Sequence, residues 1–199
     1  MKTIKSYYKD HLAKTKKMKR IIFGTLSVLV IISVFVFNKM YKSIMNTNVN
    51  NIENYSLYIH SEDDFETIKN KLYSDNIIID KKSFEWLAKK MEYPQYIKSG
   101  HYIIKNGMNN NQLLNMLRSG SQTPVDFTFN NIRTLEQLAR RIDEQIELDS
   151  LSFLNAVKKD STLKAMGFDD EKFAALFIPN TYELYWNNEA EEFVGKMTK

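Results

Sequence analysis

The chain has 199 residues, with 28 Lys and Arg against 24 Asp and Glu, three His, six Gly, three Pro and no Cys. Without cysteine it holds neither a disulfide framework nor a Cys-ligated zinc or iron–sulfur site, and so little Gly and Pro excludes collagenous or Pro-rich low-complexity material. The net charge of +4 hints at nucleic-acid binding until it is located: the first twenty residues carry eight basic side chains and one acid, Asp10, and the rest of the chain nets −3, a poor match to a phosphate-binding surface.

Residues 1–20 therefore read as a basic tail. Residues 21–37 (IIFGTLSVLVIISVFVF) have no charge and no polar face, which a buried helix of that length in a soluble core would show. Seventeen residues at about 1.5 Å each are slightly short of a hydrocarbon core of about 30 Å, but Asn38, Met40 and Tyr41 extend the run to give a transmembrane helix over 21–41. No A-x-A-like cleavage pattern follows it, so a retained anchor is expected rather than a signal peptide. By the positive-inside rule the tail is cytoplasmic and the body faces outward. Residues 42–54, rich in Asn and without periodicity, read as a linker.

A β-α-α-β-α module of residues 55–120 comes next. The alternation from Tyr55 to Ile59 predicts a strand, and Ser61 with Asp64 resembles a capping box before a helix bearing Phe65, Ile68 and Leu72. Phe84, Leu87 and Met91 form a second helical stripe, closed by Pro94. GHYIIK from Gly100 predicts a returning strand, Asn106-Gly107 a turn, and Asn109 the cap of a third helix with Leu113, Leu114 and Leu117.

Pro124 opens a second unit, 124–199. Val125, Phe127 and Phe129 alternate as a strand, and Thr134 with Gln137 gives another capping box before Leu135, Leu138, Ile142 and Ile146. Shorter helical patterns carry Phe153, Leu154 and Val157, then Leu163 and Met166. Residues 172–186 (KFAALFIPNTYELYW) are the densest apolar stretch outside the anchor. The last eleven residues begin a helix whose Phe193 and Val194 face has no evident partner. A truncated second unit, too short to complete a core around Phe177, Ile178 and Trp186, is expected, and with it a well-packed module beside a loosely packed neighbour.

Few residues point to chemistry. His11, His60 and His101 lack the i, i+4 spacing of a helical metal site, and no G-x-S-x-G, Walker-type or dinucleotide glycine pattern occurs, so no metal and no cofactor is expected. Glu62, Asp63 and Asp64 fit a helix N-terminus, where the macrodipole favours negative charge. Tyr182, Tyr185 and Trp186 have the faces to stack on sugar rings or to fill a core.

The stretch SGHYIIKNGMNNNQLLNMLRSG (99–120), the strand and helix VDFTFNNIRTLEQLARRI from Val125, and Leu176, Phe177, Pro179, Asn180, Thr181 and Tyr182 within LFIPNTYELYW resemble, in that order behind an anchor, the endolytic murein transglycosylases or YceG-like family. The resemblance implies an α+β protein with one transmembrane helix, a small LysM-like module and the start of an α+β catalytic domain. It implies cleavage of the MurNAc-β-1,4-GlcNAc bond within nascent glycan strands, leaving 1,6-anhydro ends. One carboxyl protonates the leaving oxygen, then takes the proton of the sugar's 6-hydroxyl as that oxygen attacks the anomeric carbon.

By the same resemblance Asn180, Thr181, Tyr182 and Trp186 are the candidate glycan contacts. Peptidoglycan strands, the membrane and the peptidoglycan synthases are the implied partners, in the inner (cytoplasmic) membrane of a bacterium. Two departures stand out. Ala174-Ala175 and Asn130-Asn131 replace Glu-Gly pairs frequent in the family, and the A-S-I-[IV]-E-x-E string that carries its catalytic glutamate is not among these residues. That acid is expected beyond Lys199. The alternative is a non-catalytic, membrane-tethered peptidoglycan-binding or divisome scaffold.

Overall fold

The computed structural model describes residues 4–50, 53–130, 132–159 and 180–197. The chain divides into two compact units, Met1–Asn46 and Thr47–Lys199. The first is a single helix, α1 (Ile4–Met45). Within it Lys17–Lys42, 26 residues, is long and apolar enough to cross a membrane. Phe23, Ile31, Phe35 and Phe37 stand exposed along it. It is one helix of this kind among the described residues.

The second unit begins with β1 (Tyr55–Ile59), α2 (Phe65–Ser74), α3 (Lys81–Lys90), β2 (Gly100–Ile104) and α4 (Asn110–Ser119), the β-α-α-β-α order expected from the sequence. The two strands are antiparallel neighbours with Leu57 opposite Tyr102. Leu57 and Ile59 of β1, Ile68 and Leu72 of α2, Phe84 of α3 and Leu113 and Leu117 of α4 are all buried.

Each helix starts on a side-chain cap. Asp64 accepts from Thr67 N (2.8 Å), Asp80 from Ser83 N (3.2 Å), and Asn109 from Gln112 N (2.8 Å) while Gln112 Oε1 accepts from Asn109 N (3.0 Å), a complete capping box. The cap of α2 is thus Asp64 and not Ser61, which leaves Ser61 for another use. Pro94 does not close α3 either. The helix ends at Lys90, Glu92 turns the chain in the left-handed region (φ 54°), and Pro94 sits in a 3-10 turn.

Residues 47–50 correct the reading of 42–54 as a linker, because they are built into the second unit. Thr47 bridges to Asn109 and Val49 to Ile78, and both Asn48 and Val49 are buried. Asn48 Nδ2 donates to Asn110 Oδ1 (2.6 Å) and to Asp80 O (3.0 Å), and its Oδ1 accepts from Asp80 N (2.6 Å). Asn110 Nδ2 in turn donates to Ser83 Oγ (2.9 Å). A short extended segment therefore holds the starts of α3 and α4 together through buried, mutually satisfied amides. Asn-rich composition here marks a network, not a spacer.

Among the described residues the later elements are β3 (Val125–Thr128), α5 (Leu135–Gln145), α6 (Ser150–Lys159), β4 (Thr181–Leu184) and α7 (Ala190–Met197). β3 and β4 are antiparallel, Phe127 opposite Tyr182. Thr134 caps α5 through Gln137 N (3.3 Å), and Gln137 Oε1 reaches back to Arg133 N (2.9 Å), one residue short of a capping box. The expectation of an unpartnered last helix is overturned. Phe193 is fully buried, edge-on to Phe127 (5.3 Å between centroids) and Phe153 (5.6 Å), and Val194 and Met197 join the same core. Leu163, Met166, Ala174-Ala175, Phe177, Ile178 and Pro179 lie outside the described residues.

Candidate functional site

Three loops converge where the module meets the later elements: the segment after β1, the α5–α6 loop and the turn from β4 into α7. That turn is shaped by Asn188, whose Oδ1 accepts from Tyr185 N (2.8 Å) and whose Nδ2 donates to Glu192 (2.7 Å). Glu147 N donates to Trp186 O (2.8 Å), which joins the α5–α6 loop to this turn. The Glu147 carboxylate then accepts from Ser61 N (2.6 Å) and Ser61 Oγ (3.0 Å) and lies 3.5 Å from His60 Nδ1. Asn187 Nδ2 donates to Ser99 O (3.1 Å) and Ser99 Oγ (2.9 Å). Ser61, which does not cap α2, thus gives both its N–H and its hydroxyl to the Glu147 carboxylate.

Aromatic rings fill the space between these bonds. Trp186 meets Tyr58 edge-on at 5.1 Å and His60 at 4.8 Å, and Tyr58 stacks on His101 at 4.5 Å. His101 Nδ1 donates to Thr123 O (3.1 Å) while Thr123 N donates to His101 O (2.8 Å), so the connection into β3 is tied to β2 as well. Close by, Asp63 accepts from Lys71 Nζ (2.5 Å) and His60 N (2.8 Å). Burial works against its ionisation, yet the Lys71 ammonium and the His60 amide hold its carboxyl below the usual range.

Two clefts open at the junction, and Glu147 lines both. One, of about 540 Å³, has Tyr58, His60, Glu144, Gln145 and Trp186 in its walls. The other, of about 430 Å³, has Ser61, Asp149, Ser152, Asn155, Lys159 and Asn187. The first combines ring surface with carboxylate and amide, the mixture that a sugar's C–H face and hydroxyls take. Among the described residues no three His, Cys, Asp or Glu side chains are grouped to hold a metal ion.

The sequence-derived candidates separate in space. Asn180 and Thr181 are exposed at the start of β4, Asn180 Oδ1 accepting from Thr181 N (2.8 Å) and Thr181 Oγ1 lying 3.0 Å from Thr128 Oγ1. Tyr182, half-buried, stacks flat on Phe129 at 6.0 Å. Trp186 belongs to the other end of the strand, 8% exposed, with its ring already packed between module side chains. Tyr58, His60 and Glu147 are missed by the sequence reading. Outward alternation in β1 points to Tyr58; nothing local distinguishes Glu147 from other loop acids.

The class of protein defined so far is an α+β body with a polar, aromatic-walled groove, behind a helix able to cross a membrane. The sequence profile of the YceG-like family matches residues 57–199, and the chain belongs to that family. Among solved structures it is similar to the yceG-like protein lmo1499 of Listeria monocytogenes, at 20% identity and a TM-score of 0.43, over 73% of this chain and 53% of that one. The chain thus spans about half the length of that structure. A search among curated proteins finds no match.

Proposed function

We propose that this chain serves a membrane-anchored murein lytic transglycosylase acting within nascent glycan strands, and that its share of the work is anchoring and holding glycan. The observation that carries the reading is the family match over residues 57–199 behind a helix long enough to span a bilayer. The proton transfers belong to the family's A-S-I-[IV]-E-x-E setting, a string these 199 residues do not contain. In the proposed orientation the basic tail is cytoplasmic and the body extracytoplasmic, beside the synthases that extend the strand. Glycan would lie against Tyr58, His60, Gln145 and the edge of Trp186, with Asn180 and Thr181 meeting it at the far end of β4. Tyr182 would act by supporting that strand.

The chain has two tryptophans, Trp86 and Trp186, so Trp86→Phe leaves a reporter inside the groove. In that variant of the full chain in detergent, purified murein glycan strands are expected to shift the Trp186 emission saturably and to co-sediment the protein. Neither response at millimolar disaccharide units would sink the reading. The alternative is a non-catalytic, membrane-tethered peptidoglycan-binding protein. It would win if the complete protein binds strands yet yields no 1,6-anhydro ends by mass spectrometry.

A further inference from the structure

The basic residues of α1 are not spread evenly. Lys14, Lys16, Lys17, Lys19 and Arg20 fall within seven positions directly before the apolar run, while the other end of the span carries Lys39 and Lys42. Between Asp10 and Glu53 the sequence has no acid. Lys14 has Asp10 four positions away, but Lys16, Lys17, Lys19 and Arg20 have no carboxylate within helical reach, and Lys17, Lys19 and Arg20 are exposed.

Geometry decides what such a cluster fits. At 100° per residue the five positions are distributed over more than half of the helix circumference. At about 1.5 Å per residue they occupy about 10 Å of axis, one Debye length at 0.1 M salt. A groove in nucleic acid or an acidic protein face would need a stripe on one side. A collar around a helix that crosses a bilayer instead meets a shell of lipids, each within screening distance of a cation.

We propose that residues 14–20 form a collar that selects anionic phospholipid headgroups around α1. This rests on the reading that α1 spans the membrane, and it goes beyond orientation: the collar enriches the protein's own lipid shell. Attraction of about 1 kcal/mol per basic residue near the surface corresponds to about a fivefold preference for each lipid in contact with one.

The test is the full chain reconstituted in phosphatidylcholine bilayers containing traces of spin-labelled phosphatidylglycerol or spin-labelled phosphatidylcholine, with the motionally restricted fraction read by electron spin resonance. The expected result is a preference of about fivefold for the anionic lipid in low salt, falling towards one in 1 M salt, where the Debye length is about 3 Å. The variant Lys16→Gln, Lys17→Gln, Lys19→Gln, Arg20→Gln is expected to lose the preference, and Lys39→Gln, Lys42→Gln to keep most of it. Restricted lipid with no preference in the unaltered chain would overturn the proposal alone. Absence of restricted lipid of either kind would overturn the spanning reading with it. Tail-dependent oligonucleotide binding without lipid preference would assign the collar to a different partner and overturn it too.

Discussion

Tyr93 and Tyr102 sit in the same module core, both fully buried, and differ in one bond. Tyr102 Oη donates to Lys98 O (2.9 Å), while Tyr93 Oη has no hydrogen-bond partner. Burial pushes both phenols up, Tyr102 to about 12, so each is a neutral hydroxyl at neutral pH. A buried hydroxyl without a partner loses its hydration for nothing, which costs about 1–3 kcal/mol, whereas a paired one contributes about 1 kcal/mol net. Tyr93→Phe is therefore expected to leave stability unchanged or raise it by about 1 kcal/mol, and Tyr102→Phe to lower it by a similar amount. Denaturant unfolding of the two variants side by side checks the difference, and equal losses in both would contradict the contrast. Sequence periodicity alone does not separate these residues. Tyr102 lies on a strand that the alternation predicts, and Tyr93 lies in the turn after α3, where no pattern announces a fully buried ring.

At the scale of elements, what was legible followed from repeating patterns, and what was not depended on partners distant in sequence. The β-α-α-β-α order and the Asn109 cap came from periodicities of two and 3.6 and from a local side-chain bond. The role of Asn48 did not, since its partners Asp80 and Asn110 lie 32 and 62 residues away. Helix α7 shows the same limit most clearly. Its Phe193 looked stranded because the rings that receive it, Phe127 and Phe153, stand on β3 and α6. Deleting a fully buried Phe side chain costs about 3–5 kcal/mol. Phe193→Ala is expected to lower hydrogen-exchange protection most in α5, α6 and β4 and less in residues 55–119. Unchanged protection in α6 would mean that the core closes without α7.

At the scale of the whole body, the module and the later elements each own a core, and they meet through few polar bonds. Glu147 to Ser61 and Asn187 to Ser99 are four hydrogen bonds, two of them to a carboxylate, around the Tyr58, His60 and Trp186 rings. Bonds to charged groups contribute about 1.5–3 kcal/mol each and neutral ones about 1 kcal/mol, comparable with the margin that makes a small domain fold as one unit. The same loops wall the groove proposed to hold glycan, so whatever fixes the module against the second half also fixes the groove's width. The double variant Glu147→Ala, Asn187→Ala removes the polar bonds and spares both cores. Residues 47–197 of the unaltered chain in detergent are expected to unfold in one denaturant transition, and those of the variant in two, each with a smaller m-value, because m follows the surface exposed by each cooperative unit. A single transition with the original m-value would assign the coupling to the aromatic cluster, and Trp186→Ala would then be the change that splits it.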